Sequence, residues 1–266
     1  MGSKSGLVFV NSSWTQGHIN ELWNGAEERT SLLYPPCNTE KYQTISASRS
    51  DSIVSVAQFR PEKNHALQIR AFALFCERTG RRDVILSLVG GVRNQEDRDR
   101  VEQLRELSKN MGVEDLVEFK ISISYEELFQ IYSESLIGFH TMENEHFGIS
   151  VVELQAAGVI AVAHNSGGPK LDIVVPGTGF LASTEEEYCN HVIRILEMGE
   201  EYREEIRLKA RNHVREAFSD SYFQSHFMSC CVDEADVDLT WIEKYSPEDY
   251  EENEFLTDEE SEQMSD

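Results

Sequence analysis

The sequence predicts an α/β fold built on a doubly wound parallel sheet, and two observations carry that prediction. From Ile53 onward, short apolar runs alternate with segments whose apolar residues recur at helical spacing, out to Leu181. Such alternation marks strand–helix–strand units, with parallel strands and helices on both faces of the sheet. The clearest unit lies between Leu136 and Ala163, where an apolar run breaks into the polar loop His140 to His146 and is followed by an apolar helix, Gly158 and a second apolar run. In sheets of this kind ligands sit in the crevice at the carboxyl ends of the strands. At 266 residues and 40% hydrophobic content, the chain can build the core of one large or two small domains.

In chain order, Leu7 to Val10 reads as a short strand leading into a helical stretch, Thr15 to Trp23. Leu32 to Tyr34 is a second strand, stopped by Pro35 and Pro36. The regular rhythm begins with a strand at Ile53 to Ala57 and a helix around Ala66 to Leu74 whose apolar members fall on one side. A strand at Val84 to Val89 ends at Gly90 and Gly91, and the charged helix Glu96 to Asn110 carries Val101, Leu104 and Leu107 as one narrow buried stripe. Val117 to Phe119 is a short strand, Tyr125 to Tyr132 a helix, and Leu136 to Phe139 the strand of the unit described above. Its helix has Phe147 and Gly148 at the start, Val151, Val152, Leu154, Ala156 and Ala157 as apolar residues, and Gly158 as the stop before the strand Val159 to Ala163. Phe180 and Leu181 end the sheet. Thr184 and Glu187 form a capping box for a helix buried through Val192, Ile193, Ile195 and Leu196, and a further helix runs from Tyr202 to about Ala217. Phe218, Tyr222, Phe223 and Phe227 follow as an aromatic segment.

Composition excludes several function classes. The formal net charge of -24 and the pI near 4.7 argue against nucleic acid, whose phosphates attract Lys and Arg. Cys37, Cys76, Cys189, Cys230 and Cys231 are odd in number and form no Cys-x-x-Cys pair for a metal or redox site, which fits a reducing compartment. No apolar run approaches the roughly 20 residues of a membrane-spanning helix, and the opening Met1 to Gly6 is too polar for a signal peptide. Residues 233–266 hold fifteen acidic residues against Lys244 alone, so that segment is expected to be a disordered acidic tail. Asp236 and Asp238 within it imitate an Asp-x-Asp metal site, and chance composition explains them better.

The chemistry concentrates in two loops. Glu145 and Glu153 frame the start of the helix after Leu136 to Phe139, at most roughly 12 Å apart at the helical rise per residue. Free N–H groups between them suit a phosphate, and each carboxylate can accept hydrogen bonds from sugar hydroxyls. Spacing alone leaves a second reading open, in which Glu145 merely complements the helix dipole and Glu153 occupies a wet face. Departure of a nucleotide also requires fixed positive charge. Arg60 and Lys63 follow the strand Ile53 to Ala57 and therefore lie on the crevice side, where each is otherwise an ordinary solvated loop charge.

Glu145 and Glu153 around Phe147 and Gly148, followed by Ala156, Ala157, Gly158 and by Ser166 to Pro169, resemble the donor-site signature of glycosyltransferase family 4, retaining enzymes of the B-type fold. The stretches His140 to Glu153 and Ala163 to Ala182 are similar to the branch of that family that extends dolichol-linked oligosaccharide with mannose from GDP-mannose in α-1,2 linkage at the endoplasmic reticulum. The resemblance implies three parts: residues 1–31 as a remnant of an acceptor domain and crossover, residues 32–232 as the Rossmann-like nucleotide-sugar domain, and residues 233–266 as the tail. It implies that Glu145 holds the transferred sugar, that Phe147, Gly148 and Ile149 offer backbone N–H groups, and that Glu153 binds the ribose. Lys63 matches the family's diphosphate-binding lysine. Arg60 departs from the pattern, which places its arginine where Gln58 stands. Gly90 is expected to let backbone approach the nucleotide, Gly167 and Gly168 to shape a loop behind the helix, and His140, His146 and His164 receive no role. The expected donor is GDP-mannose, with no cofactor and no metal. The expected acceptor is a dolichol-linked oligosaccharide, reached through a missing amino-terminal domain with peripheral contact to the cytosolic face of the membrane. A UDP-sugar donor stays open, because the glutamates do not select the base, and so does a non-catalytic protein whose acidic tail binds a basic partner.

Overall fold

The computed structural model describes residues 6–45 and 49–232. The acidic segment 233–266, with its expected disorder, lies outside the described residues. The chain begins with β1 (Val8–Val10), α1 (Ser13–Leu22), β2 (Thr30–Leu32) and the short helix α2 (Thr39–Gln43). The regular alternation then follows as β3 (Ser50–Val56), α3 (His65–Thr79), β4 (Ile85–Gly90), α4 (Gln95–Asn110), β5 (Val117–Ile121), α5 (Tyr125–Glu134), β6 (Ser135–His140), α6 (Ile149–Ala157), β7 (Ile160–His164) and β8 (Gly179–Ala182). Three helices close the described chain: α7 (Glu185–Glu197), α8 (Glu200–Phe218) and α9 (Asp220–Val232).

Six strands form one sheet in the order β5-β4-β3-β6-β7-β8, and each neighbouring pair is parallel. Counted from β3, this is the doubly wound order 3-2-1-4-5-6, with the direction of winding reversing between β3 and β6. β6 is buried along its whole length, as a central strand covered on both faces must be. One apolar layer gathers Phe72, Phe75, Leu86, Leu88, Phe139, Tyr188 and Ile195 beneath α3, α4 and α7. The opposite layer gathers Val54, Tyr132, Val151, Val152, Leu154, Ala161 and Val214 beneath α5, α6 and α8.

Several expectations need correction. α3 buries His65, Leu67, Gln68, Ile69, Ala71, Phe72, Ala73, Phe75 and Cys76, more than one side of a helix. It lies between the sheet and α7, and its Arg70 reaches Glu185 across that contact. The strand expected at Leu32 to Tyr34 lies earlier, at Thr30–Leu32, and pairs in parallel with β1 in a separate two-stranded sheet. The described residues up to Phe227 form one compact unit. Phe218 is fully buried, edge-on to Tyr34 and Phe147, and Phe227 meets Phe9 of β1 with ring centroids 5.4 Å apart. The first turns of α9 thus lie against β1 and β2, where His226 also reaches the Leu32 carbonyl. Capping follows the sequence closely: Thr184 and Glu187 make both bonds of their box, and Ser124 with Glu127 makes a second one at α5.

Candidate functional site

Reversal of winding between β3 and β6 leaves two successive loops flanking one crevice at the carboxyl ends of those strands. After β3 the chain makes a tight turn over Pro61–Lys63 and leaves it through Asn64 at φ 50°, a left-handed conformation that Asn tolerates. After β6 it runs through Thr141 to Gly148 before α6 begins. Buried Thr141 ties the loops together: its hydroxyl donates to the Lys63 carbonyl at 2.8 Å and accepts from Gln68 Nε2 at 2.7 Å.

That framework brings Lys63 Nζ to 2.6 Å from Glu145 Oε2 and to 3.1 Å from Met142 Sδ. Nε2 of His140 lies 3.5 Å from the same carboxylate oxygen, while Oε1 accepts the His146 backbone N–H at 3.1 Å. Burial opposes ionisation of Glu145, yet the facing His140 ring, the hydrogen bond from Lys63 and the lysine charge outweigh it and hold the carboxyl down to about 2. Beneath the loop, Gly167 and Gly168 act as a brace. Gly168 N–H donates to the Glu145 carbonyl at 2.8 Å, and Ser166 Oγ accepts Asn144 N–H at 2.8 Å while contacting His164 Nδ1 at 2.7 Å. A Cβ on Gly167 would sit 2.2 Å from the Glu145 carbonyl oxygen, and one on Gly168 2.4 Å from that of Phe147.

Helix α6 starts at this loop. Gly148 holds φ 102°, a conformation open to glycine, and supplies no capping side chain, so the first-turn N–H groups of Ile149 and its successor point out with no side-chain acceptor from the cap. Phe147 turns inward and stacks on Tyr34, leaving its backbone as the part available to the crevice. At the opposite end, Arg49 and Arg211 both donate to the Ala157 carbonyl, placing cations where the helix dipole favours them. α6 is thus anchored at its carboxyl end and open at its amino end, the polarity an anion site needs. Glu153, one turn in, accepts from Tyr132 OH at 3.1 Å, and burial raises its pKa. Tyr42 neighbours it, bonded through its hydroxyl to Tyr125 at 3.1 Å.

Two candidates are placed elsewhere. Arg60 approaches Glu62 at 3.8 Å and lines a cavity of about 220 Å³ with His65, Arg100 and Gln103, which includes neither Lys63 nor Glu145. Its position two residues off the family pattern thus coincides with a turn toward α4. Gly90 makes its close approach to protein backbone, since a Cβ there would lie 2.0 Å from the Ala57 carbonyl oxygen. Among the described residues, no group of three or more His, Cys, Asp or Glu side chains is arranged to hold a metal ion.

Residues 38–213 match the family of glycosyl transferases group 1. The chain belongs to that family. Other members extend the comparison: the human protein named GDP-Man:Man(3)GlcNAc(2)-PP-Dol alpha-1,2-mannosyltransferase is 50% identical over 241 residues, covering 86% of this chain and 49% of its own length. The protein of the same name from Dictyostelium discoideum is 49% identical over 242 residues, covering 86% and 47%. The chain therefore spans about half the length of the curated relatives it matches. Among solved structures, a glycosyltransferase from Rickettsia africae superposes with a TM-score of 0.76 at 18% identity, covering 87% of this chain and 64% of that one. HepE from Anabaena, solved with UDP, gives 0.74 at 21%, covering 86% and 64%. These two likenesses establish the glycosyltransferase fold.

Sequence reasoning missed Thr141, Gln68 and Met142, and it gave no role to His140, whose Nε2 faces Glu145. Thr141 and Gln68 carry no charge and sit in or beside apolar runs, so composition hides them. Only their burial at the junction of two loops reveals what they bind.

Proposed function

We propose that this chain is the donor-binding half of a retaining α-1,2-mannosyltransferase that takes mannose from GDP-mannose and adds it to a dolichol-linked oligosaccharide. The observation that carries the reading is the meeting of Lys63 and Glu145 at the point where the sheet reverses its winding. The names of relatives about half identical to this chain over the stretch they share support the donor and the acceptor.

In this reading the donor diphosphate lies between the Lys63 ammonium and the open amino end of α6. An ammonium has three donors, so Lys63 can turn toward a phosphate oxygen from its place beside Glu145. Glu145 grips hydroxyls of the mannose, Glu153 the ribose, and the N–H groups of Phe147, Gly148 and Ile149 meet the phosphates. As the bond from the anomeric carbon to the diphosphate breaks, negative charge grows on the departing oxygen, where a fixed cation and helix dipole lower its energy. The acceptor hydroxyl attacks on the same face and passes its proton to that oxygen, with no metal required. The acceptor is held by an amino-terminal half of the whole enzyme, at the cytosolic face of the endoplasmic reticulum membrane.

Calorimetric titration of the chain with GDP-mannose, GDP and UDP in the presence of EDTA tests this. GDP-mannose and GDP should bind, with UDP at least about tenfold weaker, a difference of about 1.4 kcal/mol. Folded protein that binds no nucleotide would overturn the proposal, and preference for UDP would reassign the donor.

A further inference from the structure

The end of β6 carries a group that the donor-site roles above leave unused. His140 is 4% exposed, and neither ring nitrogen has a hydrogen-bond partner within the usual distance among the described residues. A buried imidazole left without a partner is costly, so its surroundings call for an explanation. Its Nε2 faces Glu145 Oε2 at 3.5 Å, just beyond the ordinary hydrogen-bond range and a few tenths of an ångström from it.

The two nitrogen donors facing that oxygen are mounted differently. Lys63 reaches Glu145 from a loop, on a flexible four-carbon stem. His140 is the last residue of a central strand, its register fixed against Ala163 of β7 and its carbonyl held by Tyr188 OH at 2.7 Å. The lysine is free to redistribute its bonds, whereas the histidine ring is built into the sheet.

We propose that His140 is a positioning residue for Glu145: its Nε2–H is the second donor to Oε2 and keeps the carboxylate aimed at the donor sugar when the Lys63 ammonium turns toward a bound diphosphate. This rests on the reading of Glu145 as the group that grips the sugar. It explains the shared oxygen. Phosphate competes with Glu145 for the same ammonium, and a carboxylate released by Lys63 would keep only the backbone N–H of His146, its own chain neighbour, and would swing with that loop. The ring then closes the remaining distance and takes over the bond. A neutral imidazole protonated at Nε2 suffices, with Nδ1 left as an acceptor.

The paired variants His140→Gln and His140→Asn test the assignment, because Gln places its amide N–H near the Nε2 position and Asn places it near Nδ1. Each is titrated with GDP-mannose and with GDP, and its fold is checked by thermal melting. His140→Asn is expected to lose about tenfold in GDP-mannose affinity while GDP affinity stays within about twofold, and His140→Gln should recover most of the loss. A structural role would weaken both ligands together. Equal loss for both ligands, no loss for either, or no recovery in His140→Gln would overturn the proposal. Wild-type protein that binds GDP but gains nothing from the mannose would instead remove the sugar-gripping role of Glu145 on which it stands.

Discussion

Lys63 Nζ and Glu145 Oε2 meet at 2.6 Å although 82 residues separate them in the chain. Both side chains are mostly buried, at 22% and 16% exposure, so the pair lies between the exposed case, worth about 0–1 kcal/mol, and the buried case, where loss of one partner costs about 3–5. Lys63→Met should therefore destabilise by about 2 kcal/mol in urea unfolding. Adding Glu145→Leu to it should return part of that loss by removing the stranded carboxylate. The single variant should also lose at least about tenfold in affinity for GDP and GDP-mannose alike. A double variant less stable than Lys63→Met would contradict the pairing.

Stability should respond to acid through the same carboxyl. The folded value of about 2 lies below the ordinary 4.5, so folding favours the ionised form. Its contribution is fully present above pH 4.5 and is lost as pH falls toward 2. Thermal melts from pH 5 to pH 2 should show a shallower decline for Lys63→Met than for the wild type, because the variant has less of this contribution to lose. Identical slopes would sever the link between the lysine and the acid response.

Glu153 carries the opposite sign. Burial raises its pKa, and the hydrogen bond from Tyr132 pulls back against that rise. Stability tied to it is present below the ordinary carboxyl range and declines as pH climbs through the raised value. Tyr132→Phe removes the restraining bond and raises the value further. GDP affinity of this variant should fall below that of the wild type and recover more steeply as pH rises. Binding that follows the wild-type pH profile would separate Glu153 from the nucleotide.

Gly167 should tolerate no side chain. It combines φ 64° with a Cβ position 2.2 Å from the Glu145 carbonyl, so alanine must displace the loop that carries the glutamate. Gly167→Ala is expected to cost more than about 2 kcal/mol and to lose GDP-mannose affinity. Gly17, within α1 and with no heavy atom within 4 Å of a built Cβ, is the control. Gly17→Ala should be neutral or stabilise by up to about 1 kcal/mol. Comparable melting temperatures for the two variants would refute the bracing role of Gly167.

The chain's local chemistry was legible before its coordinates. Alternating apolar periods foretold the parallel sheet, Gly158 marked the end of α6, Thr184 and Glu187 their capping box, and the motif around Glu145 the family. Each of these depends on residues close together in sequence, where periodicity and turn chemistry act directly on the backbone. Strand order, the meeting of His140, Lys63 and Glu145, the departure of Arg60 toward α4 and the burial of Phe218 were decided only in three dimensions. A periodic pattern tells a residue which face to bury and says nothing of which distant loop will lie against it. That choice belongs to the packing of whole helices and strands, whose summed contacts outweigh the preference of any one side chain.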